Sequence, residues 1–97
     1  MDKQAVLTWL TDCMEKIRQR FSVKALAIFG SIARDEAVNN SDVDILVVFE
    51  RKGNFDLFMD LKFYLEELLG MQVDLVTDKA LRPQIHRAIE QEIIHVA

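Results

Sequence analysis

Ninety-seven residues, 51% of them hydrophobic and 29% charged, describe a globular chain near the usual size for one domain and exclude a disordered one. A net charge of −4 argues against a nonspecific nucleic-acid binder, which would carry a basic stripe. No apolar run approaches the ~18 residues needed to cross a bilayer, and the acidic, amphipathic start "MDKQAVLTWL" does not read as a signal peptide.

The first element is a helix from Asp2 to about Arg20, with Val6, Leu10, Cys13, Ile17 and Phe21 on one face. Cys13 has no cysteine partner in the chain and reads as a small core residue in a reducing cytoplasm. Trp9 lies beside that face, where core packing and interface packing both fit. "VKALAIF" is a short buried strand ended by Gly30. "SIARDEA" permits about two helical turns at most, and "AVNNS" is turn chemistry. "DVDILVVFE" is a second strand, followed by the turn "RKGN". A helix then carries Phe55, Phe58, Leu61, Leu65, Leu68 and Leu69 on its apolar side, with Asn54 as N-cap and Gly70 as its stop. "MQVDLVT" is a third strand with Asp74 at its middle. Pro83 opens a last helix with Ile85, Ala88, Ile89 and Ile93 on one face. Periodicity leaves "IIHVA" open between a helix end and a short strand. The order is α/β (α+β): a small mixed β-sheet flanked by helices, in a single domain over residues 1–97.

Chemistry concentrates in "FGSIARDEAVNNSDVD". Strand alternation turns Asp42 and Asp44 to one side with Leu46 and Val48, and Val43, Ile45, Val47 and Phe49 to the other. Two neighbouring carboxylates repel by about 1 kcal/mol in water at 4 Å and by more where solvent is poor. A divalent cation reverses that sign, and hard Mg²⁺ prefers oxygen ligands. If the third strand lies beside the second, Asp74 adds another oxygen. Three acids can support two ions about 3.5–4 Å apart, a clamp for in-line attack on phosphorus. Gly30 lets backbone approach a phosphate closely, with the N–H groups of the short helix aimed at the same anion. Ser31 adds a hydroxyl donor. Arg34 can reach phosphate or tie the helix to the acidic strand. Each piece alone has a plainer reading: Asp-x-Asp as a turn or cap, Gly-Ser as a turn, Asp74 as a solvent-facing acid, Arg34 as a surface ion pair. Jointly, and in this order, they point to nucleotide triphosphate chemistry. His86 and His95 stand nine apart with no further His or Cys beside them, which argues against zinc.

Gly-Ser, ten residues and Asp-x-Asp, as in "FGSIARDEAVNNSDVDILVVF", resemble the signature of the DNA polymerase beta-type nucleotidyltransferase superfamily, and most of all its minimal nucleotidyltransferases. The likeness covers residues 23 to 76 and extends to the tail "LRPQIHRAIEQEIIHV". It implies that Asp42 and Asp44 bind Mg²⁺ and that Asp74 is the third carboxylate and activates the acceptor hydroxyl. It further implies that Gly30 and Ser31 hold the triphosphate and that Arg34 is the family's arginine. Many members have Gly after that arginine; here it is Asp35, which adds negative charge near the phosphates.

Minimal members imply a two-protein system. There the nucleotidyltransferase is the antitoxin of an all-helical HEPN-type ribonuclease and transfers AMP from ATP to a tyrosine of that toxin. The expected partners are therefore a HEPN-type helical toxin, in a hetero-oligomer, and a nucleotide triphosphate, with no direct nucleic acid and no membrane. Once three strands and their helices are assigned, no residues remain for a second domain to hold an acceptor, so the acceptor is expected on another chain. Two alternatives are a binding module that neutralises a helical partner by occlusion, and a catalytic subunit modifying a small hydroxylated compound.

Overall fold

The computed structural model describes residues 2–36, 42–51 and 55–96, without the side chains of residues 85 and 86. The turns expected at "AVNNS" and "RKGN", the Asn54 cap and the orientations of Ile85 and His86 lie outside the described residues. Helix α1 spans Lys3–Phe21, capped where the Ala5 N–H donates to Asp2 Oδ1 at 2.9 Å and ended by Ser22 in left-handed backbone at φ 56°. Strand β1 is Val23–Phe29, the one-turn helix α2 is Gly30–Ala33 and β2 is Val43–Phe49. Helix α3 covers Phe55–Leu69 and β3 Val73–Thr77, followed by a 3-10 turn at Asp78–Ala80. Helix α4 is Pro83–Glu90, with the proline in its first turn, and the tail resolves as the short strand β4, Ile94–His95.

Four strands form one sheet in the order β3-β2-β1-β4. β1 runs antiparallel to both neighbours, while β2 and β3 are parallel. A parallel pair needs a crossover, and α3 supplies it. Val43, Ile45 and Val47 are fully buried on the side that carries α1 and α3, together with Leu26, Ile28, Leu61 and Leu65. Asp44, Leu46 and Val48 take the other side, as alternation requires.

Two helix faces differ from expectation. In α1 the buried row is Val6, Leu10, Met14, Ile17 and Phe21, with Cys13 only partly buried beside it. Positions 13 and 14 flank the same stripe, and the longer, unbranched methionine takes the centre. In α3 the buried row is Leu61, Leu65 and Leu69, while Phe58 and Leu68 are partly buried and Phe55 is 74% exposed. Phe55 is the first residue of α3, six positions ahead of the first buried leucine. No described side chain of α4 is buried, and Ala88 is exposed. Leu65→Ala is expected to lower unfolding free energy by about 2–5 kcal/mol. Phe55→Ser should stay within about 0.5 kcal/mol. Paired urea denaturation curves check both, and equal losses would contradict the assigned face.

Candidate active site

Register, more than proximity in sequence, assembles the site. Parallel pairing of β2 with β3 sets Asp44 level with Asp74, and antiparallel pairing of β1 with β2 sets Phe29 level with Asp44. The next residue after Phe29 is Gly30, at φ +74°. A Cβ there would fall onto the Asp44 carboxylate, with Cγ only 2.9 Å away. Glycine is thus required twice, for its left-handed backbone and for the space that Asp44 fills.

Asp44 and Asp74 touch through their carboxyl groups. Burial first, then Asp74 and Asp42, push the Asp44 carboxyl up from its ordinary 3.8 to about 6, and Arg34 opposes them. Asp74 and Asp42 are exposed, and Asp42 stands one residue ahead of β2. Its charge reaches Asp44, but among the described residues no three His, Cys, Asp or Glu side chains gather tightly enough to form a closed metal cluster. The arrangement is a contacting pair with a third acid at its rim. Two carboxyl groups in contact need a proton or a cation between them, and every donor here is a hard oxygen. The residues present therefore fit a divalent ion such as Mg²⁺.

Gly30 and Ser31 begin α2 at the same strand end, both partly buried. α2 has four residues, within the limit of about two turns, so it offers N–H groups but little macrodipole. Arg34 follows directly. It does not tie α2 to the acidic strand by a bond: Nε donates to Glu36 Oε2 at 3.0 Å and Nη1 to Glu92 Oε2 at 2.9 Å. Asp35 sits at φ 57°, which explains why glycine suits this position and why aspartate, tolerant of that region, can replace it. Its carboxylate pairs with Lys3 Nζ at 3.1 Å, on the first turn of α1, so its charge is drawn away from the corner.

Sequence reasoning missed two residues. By helical spacing Glu66 is an i,i+4 partner of Lys62, which by itself signals no function. Its Oε2 accepts from Lys62 Nζ at 3.1 Å and also from the Val73 N–H at 3.0 Å, which holds its carboxyl below the usual range and fixes the start of β3 one residue before Asp74. Glu92 lies 58 residues from Arg34, and no local pattern could announce it. A cleft of roughly 510 Å³ lies elsewhere, at the far ends of β2 and β3 among Val48, Phe49, Phe58, Val76 and Lys79. Its lining is mainly apolar, with Arg51, Asp78 and Lys79 among it, and it does not include Asp42, Asp44 or Asp74.

Comparison with known proteins gives concordant results. Residues 10–96 match the family described as nucleotidyltransferase domain. The chain is 42% identical over 87 residues to the protein adenylyltransferase MntA of Thermococcus cleftensis, covering 90% of this chain and 88% of that protein. It is 43% identical over 81 residues to a Methanocaldococcus jannaschii protein provisionally named protein adenylyltransferase MJ0128, covering 82% and 83%. A solved structure provisionally described as a minimal nucleotidyltransferase superposes with TM-score 0.81 at 34% identity, covering 97% of this chain and 95% of that one. A chain from the complex of tri-AMPylated Shewanella oneidensis HEPN toxin with MNT antitoxin shares the fold, with TM-score 0.67 at 16% identity, 98% and 71% covered.

Asp44 binds its proton more tightly folded than unfolded. Its contribution to stability is fully present below about pH 3.8 and is lost as pH rises through about 6. Asp44→Asn mimics the protonated acid, so in EDTA at pH 7.5 it should melt above the parent, with the gap closing by pH 4. Adding Mg²⁺ should raise the parent's Tm and leave the variant's nearly unmoved. A variant that melts lower at pH 7.5 would refute the unpaid repulsion. Asp35→Ala should cost about 1 kcal/mol and Asp35→Gly less than half that, by chemical denaturation.

Proposed function

The chain belongs to the nucleotidyltransferase domain family, and we propose that it is a Mg²⁺-dependent protein adenylyltransferase, the antitoxin partner of a helical HEPN-type toxin. AMP from ATP is transferred to a hydroxyl of that toxin, a tyrosine in the reading that the family resemblance supplies. The observation that carries this reading is the contact of Asp44 with Asp74 beside a glycine that leaves room for it. The MntA relative, called a protein adenylyltransferase, and the fold shared with an MNT antitoxin bound to its AMPylated toxin support the acceptor class. We read the 97 residues as one catalytic domain in a reducing cytoplasm, where the unpaired Cys13 is unremarkable.

In this reaction the acceptor oxygen forms a bond to the α-phosphorus, and the bond to the pyrophosphate bridging oxygen breaks with its electron pair. Asp74, the exposed member of the contacting pair, receives the hydroxyl proton; its exposure lets a protein-borne hydroxyl approach it. Gly30 and Ser31 present backbone N–H groups and a hydroxyl to the triphosphate, and Arg34 supplies a permanent positive charge. Bound Mg²⁺, one ion or two, would be held by Asp42, Asp44 and Asp74 and would offset charge on the phosphate and the departing pyrophosphate.

An occluding binding module without catalysis is the reading favoured by a high apolar fraction and by Asp35 as a charge set against the phosphates. That support weakens, because the Asp35 carboxylate is paired with Lys3. The deciding experiment mixes the protein with α-labelled ATP, Mg²⁺ and the helical protein encoded beside it. Label is expected on the partner, and Asp42→Asn with Asp44→Asn should reduce it at least about a hundredfold. A double variant that still protects the partner at equal stoichiometry while transferring no label would favour occlusion. Undiminished labelling by the double variant would remove these acids from the mechanism.

A further inference from the structure

Arg34 is gripped from two sides. Glu36, two residues on, takes Nε, and Glu92 takes Nη1. Glu36 is 64% exposed and close in sequence, an ordinary surface contact; Glu92 is 23% exposed and comes from the other end of the chain. Its placement follows from the sheet. β4 pairs with β1 so that Ile94 faces Ile28. Glu92 precedes Ile94 by two residues and Gly30 follows Ile28 by two, so the antiparallel run delivers Glu92 to the level of Gly30. The turn carrying it is pinned, with the N–H groups of Glu92 and Ile93 donating to the Ile89 carbonyl at 2.9 and 3.0 Å. Val96 N–H donating to the Leu26 carbonyl at 2.9 Å fastens the strand beyond it.

Surface ion pairs contribute about 0–1 kcal/mol to stability, so an exposed pair is poorly explained as a fold device. Geometry explains it better. A guanidinium has about five N–H donors in a rigid fork, and fixing Nε and Nη1 fixes the plane and leaves the Nη2 edge to another acceptor. Among the described residues no acceptor takes that edge. Arg34 is also near enough to Asp44 to favour its ionised form.

We propose that Glu92 is a positioning residue for the nucleotide site: it holds Arg34 in the one orientation that leaves the Nη2 edge free for β- and γ-phosphate oxygens. This rests on the adenylyltransferase reading and extends it to the C-terminal edge strand, which thereby becomes part of the phosphate corner. Glu92 acts through Arg34 and touches no substrate itself. Removing it lets a flexible side chain scatter and frees Glu36 to draw the guanidinium aside.

The test is calorimetric titration of the intact protein with Mg²⁺·AMP-PNP and, separately, with AMP, which lacks the outer phosphates. Arg34→Ala should weaken AMP-PNP binding about tenfold and Glu92→Ala about fivefold, while the double variant should bind no more weakly than Arg34→Ala alone. Glu92→Gln keeps an acceptor oxygen and should fall between parent and Glu92→Ala. AMP affinity should stay within about twofold throughout. Parent-like or tighter AMP-PNP binding by Glu92→Ala, additive losses in the double variant, or an equal loss for AMP would each overturn the proposal while leaving the adenylyltransferase reading intact. Failure of the parent to bind Mg²⁺·AMP-PNP, or indifference to Arg34→Ala, would instead remove the nucleotide corner itself and this inference with it.

Discussion

Two carboxyl groups held abreast on parallel strands are the constraint around which this fold is arranged. The parallel pairing of β2 and β3 gives Asp44 and Asp74 no freedom to separate, because their backbones are locked level by the ladder. Antiparallel β1 then closes the third side and must do so without a Cβ at position 30. Burial raises the proton affinity of Asp44, and repulsion from its acidic neighbours raises it further. Above about pH 6 such an arrangement costs stability unless a proton or a cation offsets the charge, so the electrostatics of the pair follow directly from strand register.

The hydrophobic side of the sheet is what makes that register hold. Val43, Ile45 and Val47 alternate with Asp44 and Leu46 and are fully buried beneath α1 and α3, so a slip of one residue in β2 would exchange acids for core. β3 lies at the edge of the sheet and needs a separate anchor. Glu66 supplies it by accepting from the Val73 N–H, an outward-facing group that would otherwise lack a strand partner. Helix α3 therefore has two tasks, crossing over to make β3 parallel and reaching back to seat it.

Elements dominated by short-range pattern were legible before any coordinates. The three main strands, the faces of β2 and the long helices follow from period and punctuation, as do Gly30 as a strand end and Gly70 as a helix stop at φ 67°. The neighbouring of Asp44 and Asp74 was legible only as a condition on strand order, which the crossover helix meets. What stayed hidden is of two kinds. Choices between adjacent helical positions, such as Met14 over Cys13, depend on side-chain reach and not on period. Long-range polar contacts such as Arg34 with Glu92 leave no periodic trace, because each partner reads locally as a solvated charge.

The treatment of Asp35 shows how charge is apportioned around the site. Acids close to the corner that are not candidate ligands each have a cation: Asp35 has Lys3, while Glu36 and Glu92 share Arg34. Asp42, Asp44 and Asp74 have no ion-pair partner among the described residues, although Arg34 is near enough for its charge to reach Asp44. An acidic chain can offer a strongly anionic substrate a usable site only if the bystander acids are neutralised and the remaining ones are reserved for a metal. On that reasoning the net charge of −4 does not oppose nucleotide binding. It is a sum over the whole surface, whereas a triphosphate would meet one corner, where the backbone donors of α2 and the partly engaged Arg34 meet acids that a divalent ion would convert from repulsion to attraction.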